Sequence, residues 1–264
     1  MDISLRPIPV RDTASDTGGY RAIPVNRDDR RFSEPLVRLA DHGIAGESYY
    51  ARTDGGNEPY CRPIRGSIRE LLARATIAVK LNRVNRALAA RRLELFVWDA
   101  YRPLACQQGL WDFFRERIRA IMPDASQDAA SAEVRRYVAD PDHFRPEDST
   151  SWPSHATGGS VDLTLRDCRT GDLLPMGAGF DEMNEKAHTH YLEGLLQGGE
   201  IAADDVRLLN RRLLYWSMAD EGFTNYAYEY WHFDYGNQMH IMTLAEAGAP
   251  ASAAWYGYVQ DGGA

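Results

Sequence analysis

Leu93-Glu-Leu-Phe-Val-Trp98 runs directly into Asp99-Ala-Tyr-Arg102-Pro103. The first six residues form a short apolar run, rich in β-branched and aromatic side chains, that predicts a buried strand. Pro103 suits the first turn of a following helix, and Pro123 bounds that helix on the far side. On the N-terminal side, Ser67 and Glu70 have the spacing of a capping box. Ile68, Leu71, Leu72, Ala75 and Val79 then mark an apolar stripe, predicting a helix from Ser67 to about Ala90. Beyond Pro123 a helical stretch covers about Ser126 to Ala139. Ser160-Val-Asp-Leu-Thr-Leu165 alternates like a strand, Arg169 to Asp172 reads as a hairpin turn, and Leu173–Leu174 opens the return strand. A short helical piece lies within the Gly-rich residues 176–200. Asp204 or Asp205 caps a helix with the stripe Val206, Leu209, Leu213 and Trp216, closed by Gly222. Glu229 to Tyr235 is aromatic and strand-like. Helices come first and strands later, so the expected class is α+β, with a small central antiparallel sheet flanked by helices.

The chain divides into an irregular arm over residues 1–60, a main domain over 61–244 and a tail over 245–264. The arm is expected to pack on the body, and the Ala- and Gly-rich tail to wrap the surface.

With 264 residues, 44% hydrophobic and 26% charged, the chain can bury a core without disulfides. Its net charge of −8 argues against a nucleic-acid partner. The pairs Arg91–Arg92 and Arg211–Arg212 and the run Arg115–Arg119 read as solvated helix faces. Cys61, Cys106 and Cys168 form no CxxC pair and no disulfide framework. Met1 to Asp12 lacks an apolar core, and no stretch of about 18 apolar residues exists. The expectation is a cytoplasmic protein that does not enter a membrane.

No HExxH, Walker loop or GxSxG motif is present. What remains is a dispersed polar set in apolar surroundings. His155 and Asp162 lie seven apart across Gly158–Gly159, His232 and Glu229 share an aromatic run, and Arg102 ends the first strand. Two imidazoles and a carboxylate match a common catalytic zinc set that leaves a fourth position for water. Glu229 suits the role of a nearby unbound carboxylate that takes the proton of that water. Taken singly, each of these residues is more often an ordinary hydrogen-bonded core group. His188 and His190 read as an exposed loop, His42 and His240 as structural or exposed. Trp98 and Trp111 read as core, and Trp231 as packing beside His232. Tyr49, Tyr50 and Tyr60 are candidates to close over a ligand.

Four segments in order resemble the VanX-like D-alanyl-D-alanine dipeptidases. They are Trp98-Asp-Ala-Tyr-Arg102-Pro103, Ser154-His155-Ala-Thr-Gly158-Gly-Ser-Val-Asp162, Thr170 to Gly177 with Phe180-Asp181, and Glu229-Tyr-Trp-His232. The resemblance covers about residues 64–240. It implies one Zn²⁺ per chain on His155, Asp162 and His232, with Glu229 as base and Arg102 facing the developing oxyanion. It also places Asp181 at the substrate's free amine. The implied substrate is a small D-amino-acid dipeptide, first of all D-Ala-D-Ala. Two positions depart from the family pattern. Pro153 stands where a Ser is usual, leaving Ser154 or Ser151 to supply the hydroxyl, and Ser160 replaces a small Ala. The alternatives are a zinc amidase or peptidase acting on another small amide or a peptidoglycan stem peptide, and a non-catalytic zinc-binding module.

Overall fold

A computed structural model describes residues 2–10, 19–135, 137–250 and 252–260. Its strands are β1 (Leu36–Arg38), β2 (Ala45–Gly46), β3 (Leu72–Arg74), β4 (Leu93–Asp99), β5 (Ser160–Asp167), β6 (Thr224–Asn225) and β7 (His232–Asp234). Its helices are α1 (Ala75–Leu88), α2 (Leu104–Ile121), α3 (Gln127–Val134), α4 (Tyr191–Gln197), α5 (Val206–Asp220) and α6 (Gln238–Glu246). The class is α+β. A five-stranded sheet has the order β2-β4-β5-β7-β6, and β1 pairs with β3 in a separate ribbon. The main sheet is antiparallel except at one edge, where β2 lies parallel to β4. Among the described residues no helix is long and apolar enough to cross a membrane.

The register of this sheet builds the site. Asp162 on β5 sits opposite Asp99 on β4 and opposite His232 on β7. Between Val97 and Asp99 the pairing slips by one residue. Val97 pairs with Leu163, so an unbroken register would turn Asp99 toward the face of Leu163. The bulge turns it instead to the face of Asp162, which is a common use of bulges beside sites. The opposite face of β5 presents Val161, Leu163 and Leu165, each fully buried.

The helix expected from Ser67 begins eight residues later. Ser67 Oγ donates to Ile64 O rather than capping a helix. Leu72–Arg74 is extended, held by β1 on one side. The same segment also bonds Tyr101 N and Gly158 O. Those tertiary bonds outweigh local propensity, a weak force by itself. The stripe of α1 is therefore Ile77, Ala78, Leu81, Val84 and Leu88, and Val79 is exposed. Pro103 is the N-cap of α2 rather than a residue of its first turn. Helix α3 starts after the Ser126 cap but ends at Val134, short of Ala139. The turn at residues 169–172 forms, while Leu173 contributes a single bridge to Arg166 rather than a strand. Asp205 caps α5 and Gly222, at φ +82°, closes it.

On α5 the expected apolar stripe is displaced. Val206 is exposed, and Arg211 and Arg212 are buried rather than solvated. Arg212 forms a bidentate pair with buried Glu193, which also accepts from Ile8 N. Helix α6 was not apparent in the sequence. In the residues that follow it, Ala254 and Tyr256 are fully buried, and Tyr256 OH donates to Glu34. Residues 2–10 and 19–60 form short 3₁₀ turns, β1 and β2, with Ile8, Leu39, Ile44, Tyr49 and Tyr50 buried.

Candidate active site and metal centre

His155 begins a 3₁₀ turn between Ser154 and Gly158, whose φ of +68° suits glycine. His155 Nδ1 lies 2.8 Å from Ala100 O, so it carries the proton and Nε2 presents a lone pair. His232 Nε2 lies 3.0 Å from Asp234 Oδ2, so here Nδ1 presents the lone pair. Asp234 is itself fixed by Ser160 Oγ at 2.7 Å and Asn237 Nδ2 at 2.6 Å. A carboxylate that orients an imidazole in this way is typical of metal-binding histidines.

The two lone pairs face each other, with His155 Nε2 3.2 Å from His232 Nδ1. Asp162 closes the triangle. Its Oδ1 lies 3.1 Å from His232 Nδ1 and its Oδ2 3.4 Å from His155 Nε2. Asp162 Oδ1 is buried with no hydrogen-bond partner. Metal–ligand distances of ~2.0–2.1 Å in a tetrahedral zinc site imply ligand separations of about 3.3 Å. The three donors therefore fit a zinc ion. They are also the group of His, Cys, Asp and Glu side chains, among the described residues, whose ligand atoms converge for a metal.

The electrostatics favour positive charge at this point. Burial opposes an imidazolium at His232, but Asp234 and Asp162 outweigh it and hold its pKa well above the ordinary value. Burial also opposes ionisation of Asp162, yet His155 and His232 keep its carboxyl below the usual range. Groups that draw a proton this strongly draw a cation by the same field.

Glu229 sits in the turn before β7, off the strand that the sequence suggested, because only His232–Asp234 pairs with β5. Asn225 Nδ2 ties that turn by donating to Glu229 O and His232 O. Glu229 Oε2 lies 3.8 Å from His232 Nδ1, and the side chain remains one-third exposed. Burial, reinforced by Asp162, raises its pKa.

Arg102 Nε and Nη2 form a fork on Asp99, at 2.9 and 2.8 Å. Its Nη2 also lies 3.7 Å from Asp162 and donates to Tyr50 OH at 3.2 Å. Tyr50 OH and Tyr60 OH each donate to Asp181 Oδ2 at 2.9 Å, which leaves Oδ1 for a ligand. Burial holds both phenols well above their ordinary pKa, so they remain donors. Burial and the charge of Glu229 push Asp181 up to about 7, and its backbone is left-handed at φ 57°.

All seven candidates (His155, Asp162, His232, Glu229, Arg102, Asp181 and Ser154) line one cavity of about 170 Å³. Pro153 lines it too. Ser151 is occupied with Arg145 and Asp148 and does not line it. His188 and His190 lie outside the cavity, with the His188 ring against Tyr228. His240 is structural. It accepts from Gly236 N and meets Gly222 O, and burial lowers its pKa to about 4.

Sequence reasoning missed Asp99, Asp234 and Asn237. Asp234 had a signal, because two residues along a strand from His232 places it on the same face. Asp99 stood within the quoted Trp98–Pro103 segment, but its orientation depends on the bulge. Of the three candidate tyrosines, both Tyr50 and Tyr60 reach the cavity.

The D-Ala-D-Ala dipeptidase family model matches residues 37–247. The D-alanyl-D-alanine dipeptidase of Enterococcus faecalis is 29% identical over 198 residues, covering 73% of this chain and 86% of the relative. That of Escherichia coli is 33% identical over 142 residues, covering 54% and 55%. That of Synechocystis is 28% identical over 236 residues, covering 83% and 87%. A solved structure of VanYB in complex with D-alanine-D-alanine aligns with a TM-score of 0.40 at 17% identity, covering 68% of this chain and 80% of the other. With the model match spanning most of its length, the chain belongs to the D-Ala-D-Ala dipeptidase family.

Proposed function

We propose that this metallopeptidase hydrolyses D-Ala-D-Ala or a closely similar D-amino-acid dipeptide, with zinc held by His155, Asp162 and His232. The observation that carries the reading is the convergence of two imidazole nitrogens and the partnerless Asp162 oxygen 3.1–3.4 Å apart, in one cavity with Glu229 3.8 Å from His232.

Zinc in this cage would supply Lewis acidity to the scissile carbonyl and to the attacking water. Glu229 accepts a proton from that water and returns it to the leaving nitrogen, so the amide becomes a carboxylate and an amine. Its raised pKa and partial exposure suit both halves of the transfer. Arg102, locked by Asp99, holds a fixed positive charge toward the developing oxyanion. Asp181 binds the substrate's ammonium through Oδ1, with Tyr50 and Tyr60 steadying Oδ2. Ser154 and the apolar Pro153 line the wall next to His155. The cavity is small beside typical ligand sites of ~300–1,000 Å³, which favours a dipeptide over a stem peptide.

Amine release from D-Ala-D-Ala, L-Ala-D-Ala, L-Ala-L-Ala and N-acetyl-D-Ala-D-Ala tests this reading on the zinc-loaded chain. Cleavage of free D-Ala-D-Ala but not its acetylated form is expected. The Glu229→Gln variant should keep its zinc and lose ~10²–10⁴ in kcat. Stoichiometric zinc without cleavage of any of the four would overturn the dipeptidase reading and favour another amide. An equally active Glu229→Gln variant would remove the base assignment.

A further inference from the structure

Arg211 on α5 is 2% exposed. Its Nε donates to Met176 O at 2.6 Å, Nη1 to His188 O at 2.7 Å and Nη2 to Lys186 O at 2.5 Å. These partners are carbonyl dipoles rather than a carboxylate, an expensive way to bury a charge. They stand at the two ends of the loop that carries Asp181. The guanidinium also lies 4.5 Å from the ring centroid of Tyr230. Tyr230 OH donates to Ala178 O at 3.0 Å, and its N–H donates to Ala187 O at 2.9 Å. Tyr230 follows Glu229 in the chain, so this cluster joins the Asp181 loop to the turn that holds the proposed base.

Between those ends the loop is held at its middle by Phe180, packed against Trp98 and Trp231, and by Tyr50 and Tyr60 on Asp181. Met183 to Lys186 are exposed, and cavities lie against the loop on both sides of Asp181. Asp181 sits in a left-handed conformation that a non-glycine residue keeps only when its surroundings enforce it. A carboxylate that must meet an ammonium depends on position to within about 1 Å.

We propose that Arg211, together with Tyr230, is a positioning residue that clamps both ends of the Asp181 loop and so sets the affinity for substrates bearing a free ammonium group. This rests on the reading of Asp181 as the partner of that ammonium.

The test uses the zinc-loaded full chain with Arg211→Met, Arg211→Lys, Tyr230→Phe and Asp181→Asn. Two readouts are steady-state kinetics on D-Ala-D-Ala and hydrogen exchange of the backbone amides of residues 177–187. Arg211→Met is expected to raise KM tenfold or more with kcat within threefold, and to speed exchange in that loop. Arg211→Lys should recover part of the loss, since one ammonium serves the carbonyls less completely than a fork. Tyr230→Phe removes the Ala178 tie alone and should raise KM about threefold. A folded Arg211→Met with wild-type KM and exchange overturns the proposal, as does a fall in kcat at unchanged KM. Should Arg211→Met fail to fold, wild-type KM and exchange in Tyr230→Phe overturn it instead. An unchanged KM in Asp181→Asn removes the ammonium reading, while the exchange data still decide whether Arg211 holds the loop.

Discussion

Asp181 carries the most informative pH dependence. Burial and Glu229 raise its pKa to about 7, so near neutral pH the free protein holds it part neutral and part anionic. Only the anion attracts an ammonium. As pH falls below about 7, KM for a free dipeptide should therefore rise, approaching tenfold per pH unit. At the other limb the substrate amine, with a pKa near ~8, loses its own proton. Steady-state kinetics between about pH 5.5 and 9 should show both limbs in KM, and Asp181→Asn should abolish the acidic one. Persistence of that limb in the variant would assign it to another group. At this scale the site was largely legible. The His, Asp and His candidates, Glu229, Arg102 and Asp181 were recognisable as residue types in a family-like order, and the structure brings them to one cavity. Pro153 stands there without a hydroxyl, and Ser154 is the serine beside it on the cavity wall.

Strand β7 shows how one element does two jobs. Its alternation puts His232 and Asp234 on one face, and Asp234 fixes the imidazole by its Nε2. Ser160 and Asn237 then hold Asp234. Ser160, where the family pattern has Ala, thus gains a hydrogen bond to the carboxylate behind the proposed ligand His232. Asp234→Asn keeps the shape but weakens that support, and zinc affinity should fall ~10–100-fold. Competition with a chromophoric chelator measures this, and an unchanged affinity would show that packing alone orients His232. Elements were less legible than residues. Strand β4 followed from an apolar run and β5 from alternation, both of which are local hydrophobic signatures. The start of α1 did not. Nothing local in Leu72–Arg74 announces that β1, Tyr101 and Gly158 will claim its backbone. The stripe of α5 failed for a related reason. Its buried face includes two arginines, one paired with Glu193 and the other hydrogen-bonded to loop carbonyls.

Across the whole molecule, the site draws on segments far apart in the chain. Tyr50 and Tyr60 come from before the first long helix, Arg102 from the end of β4, and Glu229 and His232 from beyond α5. A cation at His155, Asp162 and His232 would be met by donors that only the folded chain brings together. A ligand that binds only the folded chain stabilises it by ~2.7 kcal/mol at a hundredfold excess over Kd. For a chain of this size that corresponds to a rise in Tm of about 5–10 °C. Differential scanning calorimetry with zinc and after chelation should show it, and coincident transitions would argue against a zinc ion bound at these three residues.

The α+β class, the long strands β4 and β5 and the residue types of the candidate site were legible in the order of residues along the chain. These are recorded in hydrophobic pattern and residue type, which are local properties. Tertiary structure alone decided which way those residues face. The bulge between Val97 and Asp99, the register that aligns Asp99, Asp162 and His232, and the Arg211 clamp on the Asp181 loop all depend on partners distant in sequence. Hydrogen bonds between remote backbone segments carry no local periodicity, so only the folded chain reveals them.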